Sequence, residues 1–191
     1  MTTHRLTEQF TNLSPGAALG IDIGRVLMCP TRDDGRPDTS FLGANDEAAL
    51  AIPPAPGMFE VVPTLVRLFG GRAWLVSKAG PRIEALTRRW LLHHRFFERT
   101  AMDASHLRFC RRRDEKRGHA DALGLTHFID DRVDVLSYLR GSVPCLALFG
   151  VQAGPIPDWV VHLPDWATLG AALEPGDGYR AGPIGAPTPA S

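Results

Sequence analysis

Residues 17–28 read AALGIDIGRVLM, an apolar run that carries a single carboxylate, Asp22. The first part, ALGID, has the length and apolar composition of a short buried strand. The Asp-Ile-Gly sequence that ends it is a turn signal. The stretch therefore predicts a buried strand with Asp22 at its carboxyl end.

Further apolar strands alternate with helical periodicity on the C-terminal side of this stretch. Such alternation predicts parallel strands joined by right-handed helical crossovers, and near-continuous apolar strands are typical of a sheet covered on both faces. We therefore predict an α/β fold, a three-layer α/β/α Rossmann-like parallel sheet of about five to six strands. The other predicted strands are RAWLVS, HLRFC, THFID, VPCLALFG and a short WVVHL. The predicted helices cover Phe59–Phe69 with Pro63 in the first turn, a segment from Pro81 through Phe97, a segment from an Asp114 cap to Gly124, one after Arg132 marked by Val133, Leu136 and Leu139, and DWATLGAAL.

The remaining segments lack periodicity. Residues 1–16 are polar and predict a flexible lead-in, so the α/β domain is expected to cover residues 17–173. Within it, residues 30–57 are rich in turn formers and predict a loop or small flap, at most a small cap. Residues 174–191 are rich in Gly, Pro and Ala and predict a disordered tail.

The overall composition narrows the class of protein. Apolar residues make up 44% of the 191 residues, which is enough for a core. Lys and Arg together number 21, as do Asp and Glu, so bulk attraction to nucleic acid or to an anionic membrane is not expected. The sequence holds three cysteines, no apolar run long enough to span a membrane and no secretory h-region, which predicts a cytoplasmic protein.

Chemically active side chains coincide with the predicted strand ends, where ligands bind in parallel sheets. Asp22, Ser77 and Asp130 each end a strand, and Lys116 lies in the first turn of the helix before the fourth strand. Carboxylates that leave room for water and phosphate suit Mg²⁺. Phosphoryl transfer needs chiefly positioning and charge neutralisation, and a carboxylate can act as its nucleophile.

Four motifs in residues 19–150 together resemble those of the haloacid dehalogenase-like (HAD-like) superfamily. IDIGRVL resembles the first motif with Asp22, and WLVS the second with Ser77. DEKRGHADALGL resembles the third with Lys116, and THFIDDRVDVL the fourth with Asp130. Each motif alone is weak, but their order and placement are specific.

The resemblance implies a Mg²⁺-dependent phosphatase, a hydrolase that acts on a phosphorylated small molecule through an aspartyl-phosphate. Asp22 is the implied nucleophile. Asp22, the carbonyl of Gly24 and Asp130 are the implied metal ligands, assisted by Asp131. Ser77 and Lys116 are implied to hold the phosphoryl oxygens.

Gly24 departs from the family pattern, which usually has a second Asp there as general acid and base. Such a group contributes ~10²–10⁴-fold to the rate, so an alkoxide would leave poorly without it. Three interpretations stay open: the leaving group needs no acid, as in an acyl phosphate; another residue, such as Asp33 or Asp34, supplies the proton; or turnover is slow or absent.

Two alternative functions follow from these features. The first is an inactive or weakly active HAD-like protein that binds phosphorylated ligands. The second and weaker one is a phosphatase for nucleic acid ends, suggested by a basic run. The short insert also implies an open site, which suits bulky substrates or a cover borrowed from a second subunit in a homo-oligomer. The basic run comprises Arg108, Arg111, Arg112, Arg113, Lys116 and Arg117.

Overall fold

The computed structural model describes residues 2–29 and 46–174. Most of the predicted flap, residues 30–45, lies outside the described residues, as do Asp33 and Asp34 and the predicted tail from residue 175. The remaining part of the flap contains a short helix, α2, over Asp46–Leu50. An isolated bridge between Met28 and Pro54 joins the two sides of the insert.

Six parallel strands form one sheet in the order β3-β2-β1-β4-β5-β6. This confirms the predicted α/β class with a parallel sheet. The first strand lies between β2 and β4, with Leu19 opposite both Ala73 and His127. The strands are β1 Leu19–Ile21, β2 Ala73–Lys78, β3 Leu107–Cys110, β4 His127–Asp130, β5 Cys145–Phe149 and β6 Val161–Leu163.

Helices cover both faces of the sheet. Alternate residues of a strand enter opposite apolar clusters: Leu75 of β2 joins one, and Trp74 and Val76 join the other. The first cluster includes buried residues of α1, α3, α4, α5 and α8, and the second includes residues of α6 and α7. The helices other than α2 are α1 Thr2–Thr11, α3 Met58–Leu68, α4 Pro81–His93, α5 Phe96–Thr100, α6 Lys116–Leu123, α7 Val133–Leu139 and α8 Trp166–Leu173.

The N-terminal segment corrects the prediction of a flexible lead-in over residues 1–16. Residues 2–11 form α1, whose Leu6 and Phe10 are fully buried. The ring of His127 lies 5.5 Å from that of Phe10, and the His127 Nε2 is 2.8 Å from the carbonyl oxygen of Gln9. Leu6 and Phe10, four residues apart, give α1 an apolar side that packs in the first cluster, although the segment is polar on average.

Two helices differ from their predicted form. The segment from Pro81 divides into α4 and α5, because Arg95 between them adopts a left-handed φ of 54°. The division still buries Phe96 in the core. Pro63 is the sixth residue of α3 and not in its first turn, so one helical hydrogen bond is lost. Burial of the apolar face of α3 offsets that loss.

Candidate functional site

The sheet order explains how residues far apart in sequence meet. Asp22 directly follows β1, Ser77 lies near the end of β2, and Asp130 ends β4. Since β1 lies between β2 and β4, these three carboxyl ends are adjacent at one edge. The amide of Asp22 still donates to the carbonyl of Ile129 over 2.9 Å, which extends the pairing of β1 and β4 to the site.

Lys116, the first residue of α6, joins two of the strand ends. Its side chain is 2% exposed, and Nζ donates to Asp22 Oδ1 over 2.6 Å and to Asp130 Oδ2 over 2.7 Å. Burial alone would lower the pKa of Lys116, but the charges of Asp22 and Asp130 outweigh it and raise that pKa. The ammonium therefore stays protonated and neutralises part of the carboxylate charge.

Asp130 and Asp131 lie in an environment that disfavours an additional negative charge. Burial, with repulsion by Asp22, raises the pKa of Asp130 and that of Asp131. The Asp130 Oδ1 accepts from the amide of Arg132 over 3.0 Å, and Asp131 forms an ion pair with Arg25. A bound cation would favour the ionised form of both carboxyl groups.

The three carboxylates form a candidate metal centre. Asp22, Asp130 and Asp131 each offer one oxygen, and these oxygens lie within 4.8 Å of one another. Asp22 Oδ2 receives no hydrogen bond from a described residue and is free to bind a cation or attack an electrophile. Hard oxygen donors of this kind fit Mg²⁺.

All six residues singled out from the sequence line one cleft of about 200 Å³. They are joined there by four cationic residues and one apolar residue that the motifs did not assign to the site. The six are Asp22, Gly24, Ser77, Lys116, Asp130 and Asp131, and the five others are Arg25, Lys78, Arg113, Arg132 and Val135.

Sequence signals for the additional cations existed but were not specific. Arg25, Lys78 and Arg132 each directly follow a motif residue, namely Gly24, Ser77 and Asp131. Residues that are adjacent in sequence to a strand end lie at the same edge of the sheet, so their sequence positions indicated that they lie near the cleft. It did not show which side chains turn toward it.

Gly24 lies in the loop between β1 and the Met28–Pro54 bridge, and its φ is outside the left-handed region. Among the described residues, a Cβ built on Gly24 would meet only Asp22 Oδ2, at 3.8 Å, which is ordinary contact. The next residue, Arg25, takes the left-handed conformation with φ 59°. The backbone therefore does not require glycine at position 24.

The loop before α6 corrects the predicted Asp114 cap. The Asp114 carboxylate accepts from Arg112 Nε over 3.0 Å, whereas Glu115 Oε2 accepts from the amides of Arg111 and Arg112 over 2.9 and 3.2 Å. The longer glutamate side chain reaches back to these two amides. Gly124 ends α6, as predicted, and takes the left-handed conformation there.

The basic run is largely ion-paired. Arg111 lies 3.2 Å from Glu84, Arg113 3.6 Å from Asp134, and Arg117 3.6 Å from Asp121. Arg112 pairs with Asp114. The run therefore offers much less uncompensated charge than its sequence suggests. 

No protein-family model matches the chain, and no curated protein matches it. Among residues 2–29 and 46–174, no helix has both the length and the apolar character needed to cross a membrane.

Proposed function

We propose that this protein is a Mg²⁺-dependent phosphohydrolase that acts on a phosphorylated small molecule through an aspartyl-phosphate on Asp22. The observation that carries the proposal is the bridge from Lys116 to Asp22 and Asp130. It brings a buried cation and two carboxylates together at the sheet edge where Ser77 also lies. This combination supplies both a nucleophile and positive charge for phosphoryl oxygens.

Each side chain then has a distinct role in the first step. Asp22 Oδ2, which no described residue binds, attacks phosphorus in line with the leaving oxygen. The bond from phosphorus to that oxygen breaks, and the leaving group departs with the electron pair as an anion. The Lys116 ammonium and the Ser77 hydroxyl donate to the phosphoryl oxygens and neutralise charge that develops on them. Lys116 also holds Asp22 in place through Oδ1, so the carboxylate reaches the reaction already oriented.

The metal ligands in this proposal are Asp22, Asp130, Asp131 and the carbonyl of Gly24. When bound there, Mg²⁺ supplies positive charge that stabilises the transferring phosphoryl group. Asp130 is fixed by the Arg132 amide, and Asp131 is fixed by Arg25. These contacts orient the two carboxylates toward the cleft.

Water hydrolyses the aspartyl-phosphate in the second step. Its oxygen bonds to phosphorus, the bond from phosphorus to Asp22 breaks, and the Asp22 carboxylate is regenerated with release of phosphate and a proton. Gly24 contributes no acid or base to either step. The proposal therefore favours substrates whose leaving oxygen is weakly basic.

Gly24 also favours one second candidate, a protein that binds phosphorylated ligands with slow or no turnover. The two candidates share the same cleft and differ only in chemistry. Retention of a nucleophile with a free oxygen, together with the three-carboxylate cluster, supports the catalytic proposal. The ion pairs of the basic run give no comparable support to a nucleic-acid substrate.

Phosphate release from a panel of acyl phosphates, aryl phosphates and alkyl phosphates, with Mg²⁺ and with a chelator, tests the proposal. We expect Mg²⁺-dependent turnover, greatest on acyl phosphates, that falls at least ~10³-fold in Asp22→Asn because its amide is a poor nucleophile. Asp121→Asn, at an exposed carboxylate of α6, is the matched control. Equal rates in Asp22→Asn and wild type would exclude an aspartyl-phosphate on Asp22.

A further inference from the structure

The use of lysine in this chain is unusual. Of its 21 Lys and Arg residues only two, Lys78 and Lys116, are lysines. Both line the same cleft. Lys116 is buried between Asp22 and Asp130, whereas Lys78 is exposed at the end of β2. The two ammonium groups therefore have different environments within one site.

The Lys78 side chain has no hydrogen bond or ion pair with any residue in the described ranges. It differs in this respect from the arginines around the cleft, which are paired. An ammonium group has three donors and a compact charge, so it binds an oxyanion readily once one is near. Lys78 thus offers an uncompensated charge directly beside Ser77.

Two arginines that line the same cleft share a single carboxylate. Arg132 Nε lies 2.9 Å from Asp134 Oδ1, and Arg113 Nη1 lies 3.6 Å from Asp134 Oδ2. Three cations, Lys78, Arg113 and Arg132, thus stand against one carboxylate, which leaves two positive charges. Arg25 is not counted, because Asp131 already balances its charge.

We propose that Lys78, Arg113 and Arg132 form a second oxyanion subsite, so that the substrate carries a second anionic group close to the phosphoryl group that is transferred. The proposal rests on the proposed function for the identity of the first group. The two surplus charges suit a phosphate dianion or a carboxylate on the same small molecule. Guanidinium groups bind either of them through paired N–H donors.

Position within the sheet supports one bound molecule spanning both subsites. Lys78 is adjacent in sequence to Ser77, and Arg132 is adjacent to Asp131 and donates its amide to Asp130. Lys78 and Arg132 of the second subsite therefore each follow a residue of the first site in sequence. Both sets of residues line the same cleft of about 200 Å³, so one small molecule can contact both.

Three phosphonates that cannot be hydrolysed test the subsite by calorimetry at constant free Mg²⁺. Methylphosphonate presents one anionic group, phosphonoacetate adds a carboxylate, and methylenebisphosphonate adds a second phosphonate. We expect at least one of the two larger ligands to bind wild type about tenfold more tightly than methylphosphonate, since charge-assisted hydrogen bonds are strong. The ligand that shows this gain identifies the second group as carboxylate or phosphate.

Substitutions in the proposed subsite test which residues cause the tighter binding of the larger phosphonates. Lys78→Met and Arg113→Gln are expected to lose most of it while methylphosphonate affinity stays within about twofold. Arg117→Gln is the matched control, because Arg117 is similarly exposed and ion-paired but does not line the cleft. Three outcomes would overturn the subsite. They are equal affinity of the wild type for all three phosphonates, no binding of any phosphonate, and an equal loss of affinity for all three phosphonates in Lys78→Met. Because no ligand turns over, these results stand apart from any failure of Asp22-dependent hydrolysis.

Discussion

Gly24 is the residue that limits the proposed hydrolysis, because it supplies no proton donor for the leaving group. Its backbone does not need glycine, and within residues 2–29 and 46–174 a Cβ there would meet only Asp22 Oδ2, at 3.8 Å. A carboxyl group placed on residue 24 would lie beside Asp22 Oδ2, the oxygen that attacks phosphorus in the proposed mechanism. The position is therefore suited to a test of the missing proton donor.

Gly24→Asp is expected to accelerate hydrolysis of alkyl phosphates by ~10²-fold and to change hydrolysis of acyl phosphates little. Protonation helps only when the departing oxygen is basic, and a carboxylate leaving group is not. The measurement is kcat/KM on both substrate classes. Gly24→Asn is the matched control, since it has nearly the same size without an acidic proton.

An equal gain in Gly24→Asn would show that the side chain acts by shape or polarity and not by proton transfer. Rapid hydrolysis of alkyl phosphates by the wild type would show that another group supplies the proton. Asp33 and Asp34, outside the described residues, would then be the first to substitute. 

At the scale of single elements, the sequence predicted those strands and helices whose apolar pattern is continuous. β1, β2 and β4 were predicted with their polar ends, because a run of buried residues followed by Asp or Ser is a local signal. The division between α4 and α5 at Arg95 has no local signal, since Phe96 and Phe97 continue the apolar stripe. The buried pair Leu6 and Phe10 was present but was masked by the polar average of residues 1–16.

The sequence predicted those residues of the site that lie at the ends of strands. Asp22, Ser77 and Asp130 follow from topology, because parallel strands end at one edge. The bridging role of Lys116 depends on the direction of a long side chain into the space between β1 and β4. The same holds for Lys78, Arg113 and Arg132, whose sequence positions do not fix where their side chains point.

Gly20 makes a prediction about packing within β1. A Cβ at this position would lie 2.5 Å from Phe128 Cδ2 and 2.7 Å from Leu125 Cδ1. Both side chains are buried in the cluster beneath α6 and α7, so they have little room to move. Gly20→Ala should therefore lower the free energy of unfolding by about 1–3 kcal/mol through overpacking.

Urea denaturation measures this change. Gly118→Ala is the matched control, because Gly118 lies in α6 and a Cβ there would have open space around it, with no described atom outside its neighbours and its own helix backbone within 4 Å. There the same substitution should stabilise the protein by about 0.5–1 kcal/mol. A neutral result for Gly20→Ala would mean that β1 and β4 can separate enough to admit a methyl group.

At the scale of the whole molecule, a neutral chain concentrates opposite charges in one cleft. Lys116 lies 94 residues from Asp22 in sequence and 14 from Asp130, and only the central position of β1 brings the three together. The carboxylates are partly neutralised by Lys116 and Arg25. Burial, with repulsion by Asp22, still raises the pKa of Asp130 despite the charge of Lys116.

Magnesium binding is therefore expected to compete with protons. Asp130, with its pKa raised from 3.8 to about 7, must release its proton before it can bind a cation. Affinity should consequently rise with pH and level off above about 7. The raised pKa of Asp131 acts in the same direction.

The most direct test of the proposed metal centre is calorimetric titration of the protein with Mg²⁺ at pH 6 and pH 8. The account predicts one site per chain in wild type, with affinity about tenfold weaker at pH 6, since one proton competes for the site. Asp130→Asn should bind Mg²⁺ at least tenfold more weakly at pH 8 and lose most of the pH dependence, whereas Asp121→Asn should match wild type. Undiminished binding by Asp130→Asn would contradict the account.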